Sequence, residues 1–385
     1  MFDLLAVGRA NDVQERQTRP IMGCMTSRHE QVAPRPLSND ARTAGGAAPP
    51  PADDEASRQR VRVWMRALKA GDQPKVVELL EAGVELERRD AFENTPLILA
   101  CHYAHEPLAL ELLRRGADAT AANEQGCTAL LHACIEGLPA LAEELLLQPA
   151  VLPAPAPAPV YSRHTDETAP RTPLLAAAES GFAHGVRLLL RRGVPLEPEA
   201  LTLAAAHGHA EVCSLLLGTA TATATATTTA TATAAPEAGA LDTGTALLAA
   251  ARHGHVSAAR VLLGLPDGAA SAAAEAGAVA VAVAEALRAV CSLPKALAMP
   301  APGSVSSPQV ELAELLCAAG APVNQAAEDG TMPLHLAARA GHVELSRVLL
   351  RCGADASATV DGSTAAVLAQ QAGHGALSAE LQAPA

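Results

Sequence analysis

The chain has 385 residues and a formal net charge of −13 at pH 7, with 28 lysines and arginines against 41 aspartates and glutamates. Only 2% of the residues are aromatic, so a single large core would be hard to fill, and thin layers of close-packed helices are favoured instead. The acidic balance argues against nucleic-acid binding, which needs clustered cations.

Residues 1–59 offer almost nothing to bury, and their Pro-, Gly- and Asp-rich composition predicts a disordered segment. Acidic residues interrupt the beginning of the chain, which does not follow the pattern of a secretory or transit peptide. No apolar run is long enough to predict a transmembrane segment. The eight cysteines fit a reducing compartment, because Cys101, Cys134, Cys213, Cys317 and Cys352 lie within apolar helical patterns and no CxxC motif occurs. We therefore expect a cytoplasmic protein.

One short motif lies inside this segment. Residues 22–27 read Met-Gly-Cys-Met-Thr-Ser, which is similar to the N-terminus of dually acylated proteins. Acylation of Gly23 and Cys24 would require translation to start at Met22, and 21 residues precede that methionine. An accidental match is the simpler interpretation, and a membrane-tethered adaptor is the alternative.

From residue 60 onward, short helical patterns occur in pairs. The stretch from Trp64 to Gly83 predicts two helices on either side of Gly71. The clearest pair covers residues 329–355, where Pro333 suits a first helical turn and glycines follow both apolar patterns. Helices this short are marginal in isolation, so the pairs must stack on one another.

The stretch 329–355 resembles the ankyrin repeat, a unit of about 33 residues with a T-P-L-H-x-A signature. Met332 replaces the threonine of that signature. The residues that follow the motif are Pro333, Leu334, His335, Ala337, Ala338, Gly341, His342, Leu349, Leu350, Gly353 and Ala354. Related stretches begin at Thr95 and Thr128, 33 residues apart. The resemblance implies an all-α ankyrin-repeat solenoid of about eight stacked helix-turn-helix units over residues 60–385.

Low-complexity insertions interrupt the predicted array near residues 149–170, 218–241 and 293–308. The first is rich in proline and alanine and predicts an extended loop. The second contains a Thr-Ala alternation from Thr219 to Ala234 without an apolar face, which predicts disorder. The third splits a degenerate repeat in residues 266–324, in which helices are predicted over residues 281–291 and 310–319.

Histidines and cysteines provide the candidate metal ligands. In the stretches His207 to His209 and His253 to His255, the second histidine falls on the Gly-His position of the family motif, which favours a structural role. Cys127, His132 and Cys134 have no matching half-site at zinc spacing. No nucleophile elbow, phosphate loop, kinase set or zinc-protease motif occurs. We expect no metal, no cofactor and no enzymatic activity.

The resemblance implies a non-catalytic scaffold or adaptor that binds a protein partner through hairpin tips and the exposed side of each first helix. An enzyme with its site in residues 266–308 is the alternative. The variable first-helix positions are His102, Tyr103, Ile135, Glu136, Glu179, His207, Arg252 and Arg339. The acidic tip positions are Asp90, Glu93, Glu124, Glu328, Asp329 and Asp361. These carboxylates indicate a partner that presents Lys or Arg, although exposed carboxylates also serve solubility.

Overall fold

The computed structural model describes residues 55–148, 151, 158–161, 168–227, 241–264, 277–293, 307–327 and 329–382. These residues form eighteen helices and two short antiparallel strand pairs. The fold is therefore all-α, as predicted, and the helices come in nine successive pairs. The chain divides into a first unit, Met1–Ala129 with Ala154–Thr172, and a second unit, Leu130–Pro153 with Pro173–Ala385.

The first unit contains two helix pairs. Their bounds are α1 (Glu55–Ala70), α2 (Gln73–Glu81), α3 (Pro96–His102) and α4 (Glu106–Arg114). Trp64, Ala67 and Leu68 lie on one face of α1 and are buried, and α1 packs against α3. The prediction of disorder is wrong for residues 55–59, because a helix nucleated by this buried face extends into the preceding polar residues.

The chain crosses from the first unit to the second within α5 (Ala129–Glu136). The second unit continues with α6 (Pro139–Leu147), α7 (Pro173–Ser180), α8 (Ala183–Arg191), α9 (Pro198–Ala206), α10 (Ala210–Thr227), α11 (Thr243–His253), α12 (Val256–Leu262), α13 (Gly277–Ser292), α14 (Pro308–Ala318), α15 (Pro333–Ala340), α16 (Val343–Arg351), α17 (Ala365–Gln371) and α18 (Gly375–Gln382).

Within the second unit the helices form two rows. The first helices α7, α9, α11, α13, α15 and α17 each pack on the next, and the second helices α6, α8, α10, α12, α14 and α16 do the same. Leucine and alanine fill the space between the rows, as with Leu145, Leu189 and Leu349, which are fully buried. Neighbouring pairs thus bury the apolar faces that a single short pair leaves exposed.

A repeated contact joins successive pairs, and we call it the Gly-His contact. A histidine at the start of one second helix lies over the glycine that ends the preceding first helix. His209, for example, covers Gly181, where an added Cβ would lie 2.4 Å from the histidine Nδ1. Its Nε2 bonds the Glu179 carbonyl oxygen at 3.0 Å. The same arrangement occurs at Gly71 with His105, Gly208 with His255 and Gly341 with His374.

The insertions differ from the predictions in two places. Strands β1 (Ala158–Tyr161) and β2 (Thr168–Arg171) pair antiparallel within the first insertion, whereas only an extended loop was predicted. The helix α10 continues to Thr227, so the prediction of disorder is wrong for residues 219–227. Alanine is the strongest helix former, and a helix that packing has already nucleated propagates at little further cost. Residues 228–240 lie outside the described residues.

The degenerate stretch forms a helix pair. The sequence predicted helices over 281–291 and 310–319, and α13 and α14 occupy these positions and pack against each other. Residues 294–306, in the third insertion, lie outside the part of the chain that the structure describes. Near the end of the second unit, strands β3 (Thr359–Val360) and β4 (Ser363–Thr364) pair across a tight turn.

Candidate protein-binding surface

Two hairpin tips lie in the first unit. One precedes α3 and the other precedes α5. In the first tip, residues 90–94, the Asp90 carboxylate accepts hydrogen bonds from the backbone N–H groups of Phe92 and Asn94, both at 2.9 Å. It also accepts one from the Asn94 side chain at 3.0 Å. Asp90 therefore builds the turn with its carboxylate, as Asp and Asn side chains do in Asx turns.

The second tip, residues 123–127, has the same construction with an asparagine in place of the aspartate. The Asn123 Oδ1 accepts hydrogen bonds from the backbone N–H groups of Gln125 at 3.0 Å and Cys127 at 2.8 Å. Its amide Nδ2 is left to donate across to the first tip, where it reaches Asn94 Oδ1 at 2.8 Å.

Further hydrogen bonds join the two tips into one continuous surface. The Glu124 backbone N–H donates to the Phe92 carbonyl at 3.3 Å. Arg89 donates from one guanidinium nitrogen to the Ala122 carbonyl at 2.9 Å and to the Glu93 carbonyl at 3.2 Å. Because backbone and side-chain hydrogen bonds both cross between the tips, Glu93 and Glu124 lie on one hydrogen-bonded surface.

The exposed groups on this surface include two carboxylates, one aromatic ring and the Arg89 guanidinium. Glu93 and Glu124 are exposed, and Phe92 is 44% exposed. Arg89 lies 3.6 Å from the Glu93 carboxylate, in an exposed pair that contributes little to stability. The sequence did not single out Phe92, although a phenylalanine within a polar turn is itself an indication of an exposed apolar contact.

The end of α3 lies beside the first tip. Tyr103 follows the last residue of α3, and its ring meets the His102 ring edge-on, with centroids 4.9 Å apart. Partial burial raises the pKa of the Tyr103 phenol, and the negative charge of Asp90 acts in the same direction. Tyr103 therefore lies near enough to the first tip for the Asp90 charge to act on its phenol. Both rings are half-buried and remain accessible from solvent.

In the second unit the predicted first-helix positions have different exposures. Ile135, Glu136 and His207 are half-buried, whereas Arg252 and Arg339 are exposed. Glu179 is only 7% exposed, so it does not provide the exposed contact that the sequence indicated. The cause is α7, in which every residue from Pro173 to Glu179 is buried. The apolar face of α7 therefore extends around the helix and includes the position of Glu179.

The predicted acidic tips of the second unit also differ among themselves. The Asp329 carboxylate accepts hydrogen bonds from the Thr331 backbone N–H at 3.0 Å and hydroxyl at 2.6 Å, and these bonds lower its pKa. Asp329 is therefore a turn residue, like Asp90. Asp361 is exposed in the turn between β3 and β4, with φ +50°. Glu328 lies outside the described residues.

The histidines and cysteines do not gather into a metal site in the part of the chain that the structure describes, where no three His, Cys, Asp or Glu side chains converge. His209 and His255 instead take part in Gly-His contacts. Among the described residues no helix is both long and apolar enough to cross a bilayer. Gly23 and Cys24 lie outside these residues, and their acylation stays a prediction.

Two curated proteins resemble part of the chain. The ankyrin repeat, SAM and basic leucine zipper domain-containing protein 1 of Ornithorhynchus anatinus is 33% identical over 142 residues, which is 36% of this chain and 28% of that protein. The probable E3 ubiquitin-protein ligase XBOS33 of Oryza sativa subsp. japonica is 34% identical over 134 residues, 34% of this chain and 24% of that protein. The matched part thus spans about a quarter of each relative.

The family model described as ankyrin repeats (3 copies) matches residues 64–153, 174–271 and 304–380, which together exceed half of the chain. These ranges contain most of the helix pairs and the Gly-His contacts described above. The chain therefore belongs to the ankyrin repeat family, whose repeats are protein–protein interaction modules.

Proposed function

We propose that the chain is a non-catalytic adaptor and that its first unit binds a basic segment of a partner protein. The proposal rests on one observation, the hydrogen-bonded surface of the two tips, on which Glu93 and Glu124 are exposed beside Phe92. We call this surface, together with His102 and Tyr103, the acidic aromatic face. A lysine or arginine side chain finds there a carboxylate to pair with and a ring to stack on.

The electrostatic part of the proposal rests on how the carboxylates are used. Asp90 accepts three hydrogen bonds within its own turn, whereas the Glu93 and Glu124 side chains extend from the tips. Exposed charges of one sign raise the association rate of an oppositely charged partner and lose this effect as salt increases. Glu93 and Glu124 are therefore the residues that attract the partner, and Asp90 holds them in place.

The aromatic part of the proposal concerns affinity. A cation over the face of a tyrosine or phenylalanine ring gains about 0.5–1 kcal/mol at exposed sites. The Tyr103 phenol is neutral at pH 7, because the ordinary tyrosine pKa is about 10 and both burial and the nearby Asp90 charge raise the pKa of this phenol further. The ring therefore remains available to a cation throughout the neutral pH range. Removal of this ring should increase the dissociation rate more than it changes the association rate.

A peptide selection tests the proposal and does not require an identified partner. A random peptide library is selected on the full chain, and we expect enrichment of peptides that contain several lysines or arginines. The enriched peptides are then measured against the double variant Glu93→Gln with Glu124→Gln, which should bind more slowly at low salt. The matched control is Glu78→Gln with Glu81→Gln, which removes two charges from α2 instead of the tips.

Two results would overturn the proposal. One is a selection without enrichment of basic residues. The other is equal loss of binding in the tip variant and in the α2 control, because the effect would then come from the net charge of the chain and not from the acidic aromatic face.

A further inference from the structure

The exposed face of α1 carries a row of cations. Arg62, Arg66 and Lys69 are exposed, and their spacing of four and then three residues places them on one side of the helix. Trp64 and Leu68 lie on the opposite side and are fully buried. We call Arg62, Arg66 and Lys69 the cationic row. With a rise of about 1.5 Å per residue, the row extends roughly 10 Å along the helix axis.

The cationic row lies in a stretch without acidic residues. Between Glu55 and Asp72 the sequence contains four arginines and one lysine, and neither aspartate nor glutamate. The whole chain has the opposite balance, with 41 acidic residues against 28 lysines and arginines. A polar surface that only kept this helix soluble could use the acidic residues that the chain favours elsewhere. The local excess of positive charge therefore indicates a more specific use of α1.

The three side chains of the row are not paired within the fold. In the part of the chain that the structure describes, none of them forms an ion pair. Exposed cations elsewhere do, as Lys75 pairs with Glu78 at 2.8 Å and Arg347 with Glu344 at 2.7 Å. At physiological salt, charges more than about 8 Å apart are largely screened from each other. A group that touches α1 therefore senses the cationic row more strongly than the net negative charge of the chain.

The fold fixes α1 along its buried side and at its end. The buried side packs against α2 and α3. At the end of the helix, Gly71 takes part in a Gly-His contact, in which the His105 Nε2 bonds the Lys69 carbonyl oxygen at 3.0 Å. The cations thus extend from a fixed helix. A ligand needs to order only their side chains and not the backbone, which lowers the entropy cost of association.

Two kinds of anionic ligand fit the row poorly. A helix that lies on a membrane inserts its apolar face between the lipids, but the apolar face of α1 is buried in the fold. None of the large hydrophobic side chains that are exposed in the described residues belongs to α1. Tight binding of nucleic acid needs more phosphate contacts than three cations provide. A protein segment with carboxylate side chains fits better, because it matches the charge without an apolar insertion.

We propose that the cationic row is a second docking surface, which binds an extended acidic segment of a further protein. Side chains on one face of an extended segment lie about 7 Å apart, so aspartates or glutamates at alternate positions reach two or three cations of the row. Under the proposed function, the acidic aromatic face binds a basic segment. The first unit then has two docking surfaces of opposite charge, and the chain holds a basic and an acidic protein together.

The test uses the folded full chain and a fluorescein-labelled peptide of alternating glutamate and serine. Fluorescence anisotropy should show binding that weakens as salt is added. The triple variant Arg62→Gln, Arg66→Gln and Lys69→Gln should bind this peptide about tenfold more weakly, because three exposed charge contacts are lost.

The matched control is the variant Arg191→Gln, Arg252→Gln and Arg339→Gln, which removes the same charge from exposed arginines of the second unit. It should retain the affinity within about twofold. Because all six side chains are exposed, urea denaturation should give similar midpoints for both variants and the native chain. The tip variant Glu93→Gln with Glu124→Gln should bind the acidic peptide at least as tightly as the native chain. Failure of this proposal is thus distinguished from failure of the proposed function.

Three results would overturn the proposal. One is no binding of the acidic peptide, or an equal loss in the triple variant and its control, since the effect would then come from net charge. Another is binding to vesicles of phosphatidylserine and phosphatidylcholine that the triple variant loses, without binding of the peptide. The last is a dimer in sedimentation equilibrium that dissociates in both the triple variant and the tip variant, because the ligand would then be the acidic aromatic face of a second copy.

Discussion

The helix pair α3–α4 and the other helix pairs treat equivalent left-handed backbone positions differently. In the described part of the second unit, the left-handed residue that follows a first helix is glycine, as at Gly137, Gly181 and Gly341. In the first unit it is also glycine after α1, at Gly71, but after α3 it is Ala104, with φ +58°. At the first tip, Glu93 has φ +60°, where the second tip has Gly126. A residue with a side chain in this conformation costs about 1–2 kcal/mol.

Both residues flank the acidic aromatic face. Ala104 follows Tyr103, and Glu93 is one of the proposed partner contacts. Backbone strain of this kind is often found at binding sites, where the surrounding structure enforces it. The comparison indicates that most pairs use glycine at these positions, which favours stability, whereas the pair α3–α4 and the tip before it accept strain beside the candidate surface. Asp361 has φ +50° in the second unit, at a tight turn that aspartate tolerates.

The largest expected effect comes from filling a Gly-His contact. Gly181→Ala should cost about 2–5 kcal/mol, because the left-handed backbone is strained and the His209 ring must leave its place and its hydrogen bond. The matched control is Gly137→Ala, since Gly137 has φ +67° but only an ordinary 3.8 Å contact with Phe182. The control should cost about 1–2 kcal/mol. Urea denaturation measures both, and equal losses would show that the ring contact adds nothing.

The second prediction concerns a substitution in the first unit that should raise the free energy of unfolding. Ala104→Gly should raise the free energy of unfolding by about 0.5–1 kcal/mol, because relief of the left-handed strain exceeds the entropy cost of glycine. Ala82→Gly is the control, since Ala82 also follows a helix but has φ −77°. That control should lower the stability by about 0.5–1 kcal/mol. Stabilisation in neither variant would mean that Ala104 is not strained.

The third prediction separates strain from recognition at Glu93. Glu93→Gly should raise the free energy of unfolding by about 0.5 kcal/mol, since it removes the strain and only an exposed ion pair. Glu93→Gln should leave stability nearly unchanged. Both variants should bind a basic peptide more slowly at low salt. If Glu93→Gly stabilises the chain without any change in binding, the tip is strained for a reason other than recognition.

The smallest effect concerns pH and a histidine of the second unit. Burial lowers the pKa of His255, with a smaller contribution from His253 and His209. The folded state therefore keeps this ring neutral after the unfolded state has begun to bind a proton, so stability falls as the pH drops below the ordinary histidine pKa of about 6.5. His255→Gln should show a flatter dependence than the exposed control His253→Gln in urea denaturation between neutral and acidic pH.

The sequence predicted the helix pairs because proline, glycine and apolar spacing act locally. Pro333 and Gly341 fix the ends of α15 without reference to the rest of the fold. Met332, which replaces the usual threonine, caps that helix without a side-chain hydrogen bond, whereas Thr95 accepts one from Ile98 at 3.3 Å. The departure of the sequence from the family motif thus corresponds to a missing cap in the structure.

The candidate site was less predictable because exposure depends on neighbouring pairs. Glu179 has the same local spacing as His102, yet α7 is surrounded and α3 leaves its last turn open. Asp90 and Asp329 were selected for their charge, but a charge count does not show that a carboxylate is used within its own turn. An aspartate two residues before threonine, as at Asp329, is the sequence pattern that would have indicated this use.

The Gly-His contacts also bear on how the protein opens. Each contact has its histidine in one helix pair and its glycine in the pair before, so the energy belongs to the boundary between pairs and is lost when either side unfolds. A pair with such contacts on both boundaries, such as α9 and α10, loses both of them when it opens, whereas the pair α17 and α18 has this contact on one boundary. Amide hydrogen exchange should therefore be fastest in α17 and α18 and should become slower from pair to pair towards the interior of the second unit. The protection should change at the boundaries between helix pairs and not within a pair.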